Sequence, residues 1–175
     1  MASDAKAKRG RQTVRDMVLS LLAICAVAAA VYVFIPHSEG KGVETVSYSV
    51  DLATARRAAP YPVLAPEGLP QQWRATSVRY SADDEGHATW HLGFLTPSGS
   101  YAAVEQSDDS AGGLVRAQVK GGRPDGSASV DGRPWDRYRG DHYRALVRST
   151  GTTGTTMVTG SASYGELEQL AQALH

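Results

Sequence analysis

SASYGELEQLAQAL, Ser161–Leu174, decides how the rest of the chain is read. Ser163 and Glu166 have the spacing of a capping box, in which each side chain accepts from the other residue's free backbone N–H. Beyond them Leu167, Leu170, Ala171 and Leu174 recur at three- and four-residue intervals. That spacing predicts a helix with one apolar stripe, which has to be buried against something. The preceding segments offer strands, so the expected architecture is α+β: an antiparallel sheet with the C-terminal helix packed on it.

The strands are read from alternation. Val46, Tyr48 and Val50 predict a short one, and Asp51 is placed to cap a short helix, LATARRAA, which Pro60 stops. Pro60, Pro62, Pro66 and Pro70 then exclude regular structure and predict a stiff connector. Trp73–Tyr80 and Ala88–Leu95 follow as strands, the second with Trp90, Leu92 and Phe94 on one face. TPSGS is a turn leading into YAAVEQ, a hairpin. A short helix is expected near Leu114–Val119, then strand, Asp-Gly turn and strand in SASVDGRPWDRYRG. Tyr143–Val147 and Thr155–Thr159 complete the set across a Gly/Thr-rich loop.

The N-terminal part has a different character. From Met17 to Ile35 no side chain is charged. As a helix this run spans roughly 28 Å, close to the hydrocarbon thickness of a bilayer. Cys25, the chain's one cysteine, is preceded by the bulky Ile24, which does not fit a lipoprotein cleavage site, and VYVFI follows every small-residue pattern that resembles a signal-peptide cut. An uncleaved anchor is therefore expected. Lys6, Lys8, Arg9, Arg11 and Arg15 precede it, which keeps that end in the cytoplasm. The expected organisation is a cytoplasmic tail (1–16), a transmembrane anchor in the lipid bilayer (17–35), a linker (36–42) and an extracytoplasmic domain (43–175). The expected location is the cell membrane, single-pass.

The zero formal net charge hides two unlike parts. The tail is basic, and the sequence after the anchor is mildly acidic, which with its location argues against nucleic acid. That outer part has no cysteine, so it folds on its hydrophobic core without disulfides. Abundant Arg, Ala and Gly with no Asn fit a GC-rich genome.

No motif identifies an enzyme. G-x-S-x-G, H-E-x-x-H and a phosphate-binding glycine loop are all missing. Thiol catalysis in the exported part is excluded, whereas serines are plentiful and a Ser/His/Asp site assembled only by the fold stays open. His87 and His91 share a strand face but stand about 13 Å apart, too far for one metal. Asp83, Asp84 and Glu85 lack a calcium-loop pattern and read as a solvated turn. No cofactor and no metal is expected. Trp73, Trp90 and Trp135 are expected in the core. Arg137 and Arg139, beside Tyr138, are expected on the sheet face away from the helix together with His91. There they would meet a partner's carboxylates or phosphates, while Asp136 and Asp141 favour ordinary ion pairs.

The segments ARRAAPYPVLAPEGLPQQWRATSVRY, WHLGFLTPSGSYAAVEQS, VDGRPWDRYR and VTGSASYGELEQLAQAL, behind the N-terminal anchor, resemble an actinobacterial family of membrane-anchored proteins, the domain-of-unknown-function 4245 family. The resemblance covers nearly the whole chain. It implies a cell-envelope protein with a short cytoplasmic tail and supplies no catalytic residues. The order of these segments also looks like the extracytoplasmic sensor-type domains behind anti-sigma factors, although a tail of about 16 residues is too short to bind a sigma factor. The leading expectation is a non-catalytic envelope module that binds a protein or an anionic wall component. An envelope hydrolase with a site not recognisable from sequence and a structural spacer are the alternatives.

Overall fold

The computed structural model describes residues 17–27, 45–82, 84–149 and 154–175. The chain divides into two compact units, Met1–Lys41 and Gly42–His175. In the first, residues 17–27 form a helix, α1, whose large apolar side chains are all exposed; Met17, Ile24 and Val27 are each more than 60% uncovered. Among the described residues no helix is long and apolar enough to cross a membrane. The expected tail, the second half of the expected anchor (28–35) and the linker lie outside the described residues.

The second unit is built on a seven-stranded, wholly antiparallel sheet, β1 Arg74–Ala82, β2 Ala88–Leu95, β3 Tyr101–Ser107, β4 Arg123–Val130, β5 Arg133–Arg139, β6 Arg144–Ser149 and β7 Thr155–Gly160. Their spatial order is β1-β2-β3-β7-β6-β5-β4. The chain lays down β1 to β3, crosses to the far edge, returns through β4 to β6, and closes the gap with β7. The Asp131-Gly132 turn between β4 and β5 has positive φ at both residues (49° and 71°), the conformation whose twist suits a two-residue hairpin.

Two helices cover opposite faces. On one, cross-strand neighbours Val78, Leu92, Val104, Val158 and Leu146 form a continuous apolar row flanked by Trp90, Phe94 and Trp135. Over it lies α4, Tyr164–Gln172, through Leu167, Leu170 and Ala171, and Leu174, just past its end, joins the same core. The capping box forms: Ser163 Oγ accepts from Glu166 N at 3.3 Å, and Glu166 Oε2 accepts from Ser163 N at 3.0 Å. The proline connector adds Tyr61, Val63 and Ala65 to this core. Ala65 and His175 exchange backbone hydrogen bonds of 3.2 Å, which moors the connector to the C-terminal segment. All three tryptophans are buried. On the opposite face α3, Ala111–Gln118, seats Leu114 and Val115 on Ala145, Val147 and Met157 of β6 and β7.

Two expectations are corrected. The segment around Val46–Val50 is not a strand: 45–48 is irregular, and α2 runs Ser49–Ala58, so Asp51 lies in its first turn and the N-cap Tyr48 makes no side-chain cap. Val50 is exposed, whereas Val46 and Tyr48 are half-buried and Tyr48 packs against the core, so the alternation marks a covered face only as far as Tyr48. The sheet also has no face wholly open to solvent, because α3 covers part of the one that α4 leaves free.

Candidate functional site

The pairing register places each expected site residue. His91 on β2 lies on the α3 side of the sheet, between Arg79 on β1 and Glu105 on β3. Tyr138 on β5 lies on the same side, partly buried against α3. Arg137 and Arg139 do not join them. Arg137 pairs across strands with Leu146, a member of the row beneath α4. It forms an ion pair with Glu168 of α4, with its guanidinium 4.8 Å from the Tyr164 ring centre. Arg139 donates from Nε to Asp125 Oδ2 at 2.9 Å, and the Tyr164 hydroxyl donates to the same oxygen at 2.8 Å. These two bonds, the Tyr164 one foremost, hold the Asp125 carboxyl below the usual range, while burial and then Asp125 push the Tyr164 phenol up to about 12. The separation of His91 from the two arginines follows from parity. Trp135 is required in the core, and every second residue after it shares its face.

Two other groups, one on each face, are assembled only by the fold, although His91, a member of the second, is one of the expected site residues. The first centres on Arg148. It sits on β6 opposite Thr156, in a row that also holds Trp90 and Gln106. Its guanidinium lies 5.1 Å from the Trp135 ring centre. Its Nε is buried without a hydrogen-bond partner, and no ion pair reaches it among the described residues. Burial, with Arg133 nearby, holds its pKa below the ordinary arginine value. Arg148 lines a cavity of about 160 Å³ between the connector and the sheet, shared with Tyr61, Pro62, Gln106, Thr155 and Thr156. Gln106 fastens the two layers together: Oε1 accepts from Leu64 N at 2.7 Å, and Nε2 donates to Pro62 O at 3.1 Å and to Thr156 Oγ1 at 3.2 Å. Since Thr156 Oγ1 accepts that bond, its own hydrogen is free to be donated. The cavity thus has one cation, one hydroxyl donor and apolar walls.

The second group spans three strands on the α3 side. His91 Nδ1 is 2.6 Å from Glu105 Oε1, and His91 Nε2 is 2.8 Å from Ser77 Oγ. The Glu105 side chain is 7% exposed and that of His91 18%. Ser77 follows a register shift in β1 between Ala75 and Ser77. Gly93 stands opposite it, and a Cβ there would meet Ser77 Oγ at 2.4 Å and the Tyr101 hydroxyl at 3.0 Å. The glycine therefore makes room for both oxygens. Burial, and next the charge of Glu105, push the Tyr101 phenol up to about 12.

Each group left a faint trace in the sequence. In RALVRS, Arg148 has the parity of Leu146, which places a cation on the core side of a buried strand. In YAAVEQS three polar residues, Glu105, Gln106 and Ser107, end an otherwise apolar run, and all three are buried. Ser77 left no trace. His87 has its Nδ1 4.0 Å from a Glu85 carboxylate oxygen, and Asp83 lies outside the described residues. Among the described residues no cluster of His, Cys, Asp and Glu is arranged to hold a metal.

A family model described as "Protein of unknown function (DUF4245)" matches residues 9–174. The chain belongs to this family. No curated protein matches. Among solved structures, the chain is similar to a complex of Pseudomonas aeruginosa MucA and MucB, at 14% identity and a TM-score of 0.39, over 66% of this chain and 35% of that one. It is also similar to MucB crystallised with MucA(peri), at 13% identity and the same TM-score, over 64% and 35% of the two chains. The chain thus spans about a third of each solved chain it matches.

Proposed function

We propose that this member of the DUF4245 family is a membrane-anchored extracytoplasmic module that binds a partner protein, or an envelope component, by taking one of its carboxylates into the Arg148 cavity. The observation that carries this reading is the unpaired, half-buried guanidinium. A cation removed from water without a counter-charge costs stability. A site that bears this cost gains back the interaction when a carboxylate arrives, because a charge-assisted, paired hydrogen bond to arginine is about twice as strong as a neutral one. The Thr156 hydroxyl supplies a further donor. A cavity of about 160 Å³ is the size of one that accepts benzene. It admits an acidic side chain or a chain terminus rather than a whole polymer, so the rest of the partner lies outside it.

Anchoring is supported by the uncharged run Met17–Ile35, by the basic residues before it, and by the exposure of the apolar side chains of α1. A helix apolar all round needs either a protein core or a bilayer.

Arg148→Met tests the binding reading. Replacing an unpaired, partly buried cation by an apolar side chain of similar length is expected to leave stability unchanged or raise it by about 0–2 kcal/mol. The same change is expected to abolish the rise in thermal midpoint that millimolar acetate or glutarate produces in the native protein, and to reduce photo-crosslinking to partners in cells. A native protein indifferent to both acids, or a variant that responds as the native protein does, overturns the reading.

A further inference from the structure

We propose that Ser77, His91 and Glu105 form a nucleophilic relay that cleaves carboxylic esters on the sheet face opposite α4. The inference is independent of the Arg148 cavity, which lies on the other face.

The argument starts from the donors and acceptors. Glu105 is a nearly buried carboxylate and accepts at 2.6 Å from His91 Nδ1–H. With that nitrogen protonated, Nε2 of a neutral ring keeps its lone pair and accepts from the Ser77 hydroxyl at 2.8 Å. A carboxylate that orients an imidazole, which in turn takes a serine proton, is the arrangement that activates a hydroxyl for acyl transfer whatever the fold. The three side chains come from adjacent strands, with His91 directly opposite Glu105 in the ladder, so the sheet fixes their spacing.

Space and access agree with this role. Ser77 and Tyr101 are half-buried, and α3 packs on β6 and β7, away from β1 and β2. Ser77 Oγ and the Tyr101 hydroxyl fill the space that a Gly93 Cβ would take, and the two are hydrogen-bonded to each other. Tyr101 is thereby placed to donate to an oxyanion formed beside Ser77. The Tyr101 ring in turn lies 6.0 Å from that of Tyr143, at a tilt of 32°. Arg79, exposed, lies across from His91. The suited substrate is an ester with a flat or apolar group.

In the reaction Ser77 Oγ bonds to the carbonyl carbon while its proton passes to His91 Nε2. The carbon–oxygen bond to the leaving alcohol breaks, and His91 returns the proton to that alcohol. Water then adds to the acyl carbon and gives its proton to His91. The acyl–Ser77 bond breaks, and the proton returns to Ser77 as the carboxylic acid departs. Glu105 is a positioning residue: it holds the imidazole and touches no substrate.

The full chain in detergent is treated with a fluorophosphonate, which bonds to an activated serine with loss of fluoride, and separately with p-nitrophenyl acetate. One phosphonate on Ser77, mapped by peptide mass, is expected. Ser77→Ala, which removes only a hydroxyl, is expected to abolish both labelling and turnover. His91→Gln is expected to slow them by on the order of 100-fold or more. Glu105→Gln and Tyr101→Phe are expected to lower kcat with KM little changed, whereas a merely structural loss would lower the amount of folded protein and leave kcat per folded molecule intact. Circular dichroism reports folding for each variant. If His91→Gln is unfolded, the shape-preserving Glu105→Gln decides in its place. Folded native protein that stays unlabelled, a label on another serine, or labelling as fast in the folded His91→Gln or Glu105→Gln variant as in the native protein overturns the proposal.

Discussion

At the scale of single residues, the sheet separates polar side chains that are satisfied from a few that keep a buried atom without a partner. Arg139, Glu105 and Gln106 have partners within the fold; Arg137 and Arg148 each have a buried Nε without one, but Arg137 is ion-paired to Glu168, whereas among the described residues no ion pair reaches Arg148. Glu166 shows how much a satisfied carboxylate contributes. Its cap position is partly buried, which alone raises a carboxyl pKa, but hydrogen bonds from Ser98, Thr96 and both the side chain and the backbone of Ser163 outweigh burial and lower it to about 2 from 4.5. A carboxyl depressed on folding contributes its stability above the unfolded value and loses it as the folded value is approached. The domain is therefore expected to lose stability between about pH 4.5 and pH 2, by on the order of 1 kcal/mol from this residue after allowance for solvent screening. Denaturant titrations across that range in the native protein and Glu166→Gln check this. The part of the acid-induced loss due to Glu166 is absent in the variant, and parallel curves contradict the assignment.

At the scale of elements, α4 is the piece without which one face of the sheet is bare. Leu167 and Leu170 are fully buried, and around them lie Trp135, Leu146 and Val158. Leu170→Ala is expected to cost roughly 2–5 kcal/mol, the range for emptying such a site. That corresponds to a fall in thermal midpoint of roughly 10 °C. A scanning calorimetry midpoint unchanged within 2 °C, roughly the shift of half a kcal/mol, would show α4 to be peripheral. The two edge strands differ in a way that also belongs to this scale. β4 carries Pro124, a register shift between Pro124 and Ser127, and Gly126 at φ 90°, all of which hinder pairing with another chain. β1 has its shift only at its start, between Ala75 and Ser77, where Val46 N also bonds to Ala75 O.

At the scale of the whole molecule, the anchor and the sheet domain make one proposal: a binding module held at a membrane surface. Confinement raises the effective concentration of a partner in the same plane, so a modest affinity at Arg148 suffices. The orientation is checked by reporter fusions after residue 60. An alkaline phosphatase fused there is expected to be active, and a cytoplasmic reporter at the same position inactive. The reverse pattern eliminates the extracytoplasmic reading, and with it the partners proposed from it, while leaving the chemistry at Ser77 to be tested on the purified chain.

The α4 stripe, its capping box, the Asp-Gly hairpin, the proline connector and the position of most strands could be read from the chain alone. Each depends on residues a few positions apart, and local spacing carries that information directly. The α+β class followed, because a striped helix needs an alternating sheet to lie on. Strand order was decided only by the tertiary structure: β7 enters between β3 and β6, and no local pattern encodes a partner fifty residues away. That order places Gln106 beside Thr156 and Arg148, and so builds the cavity. Register decided the rest. It set Ser77 and Glu105 on either side of His91, and it turned Arg137 under α4, where the sequence suggested an open surface. Parity along a strand says which residues share a face; which face is covered, and by what, depends on packing between elements far apart in the chain.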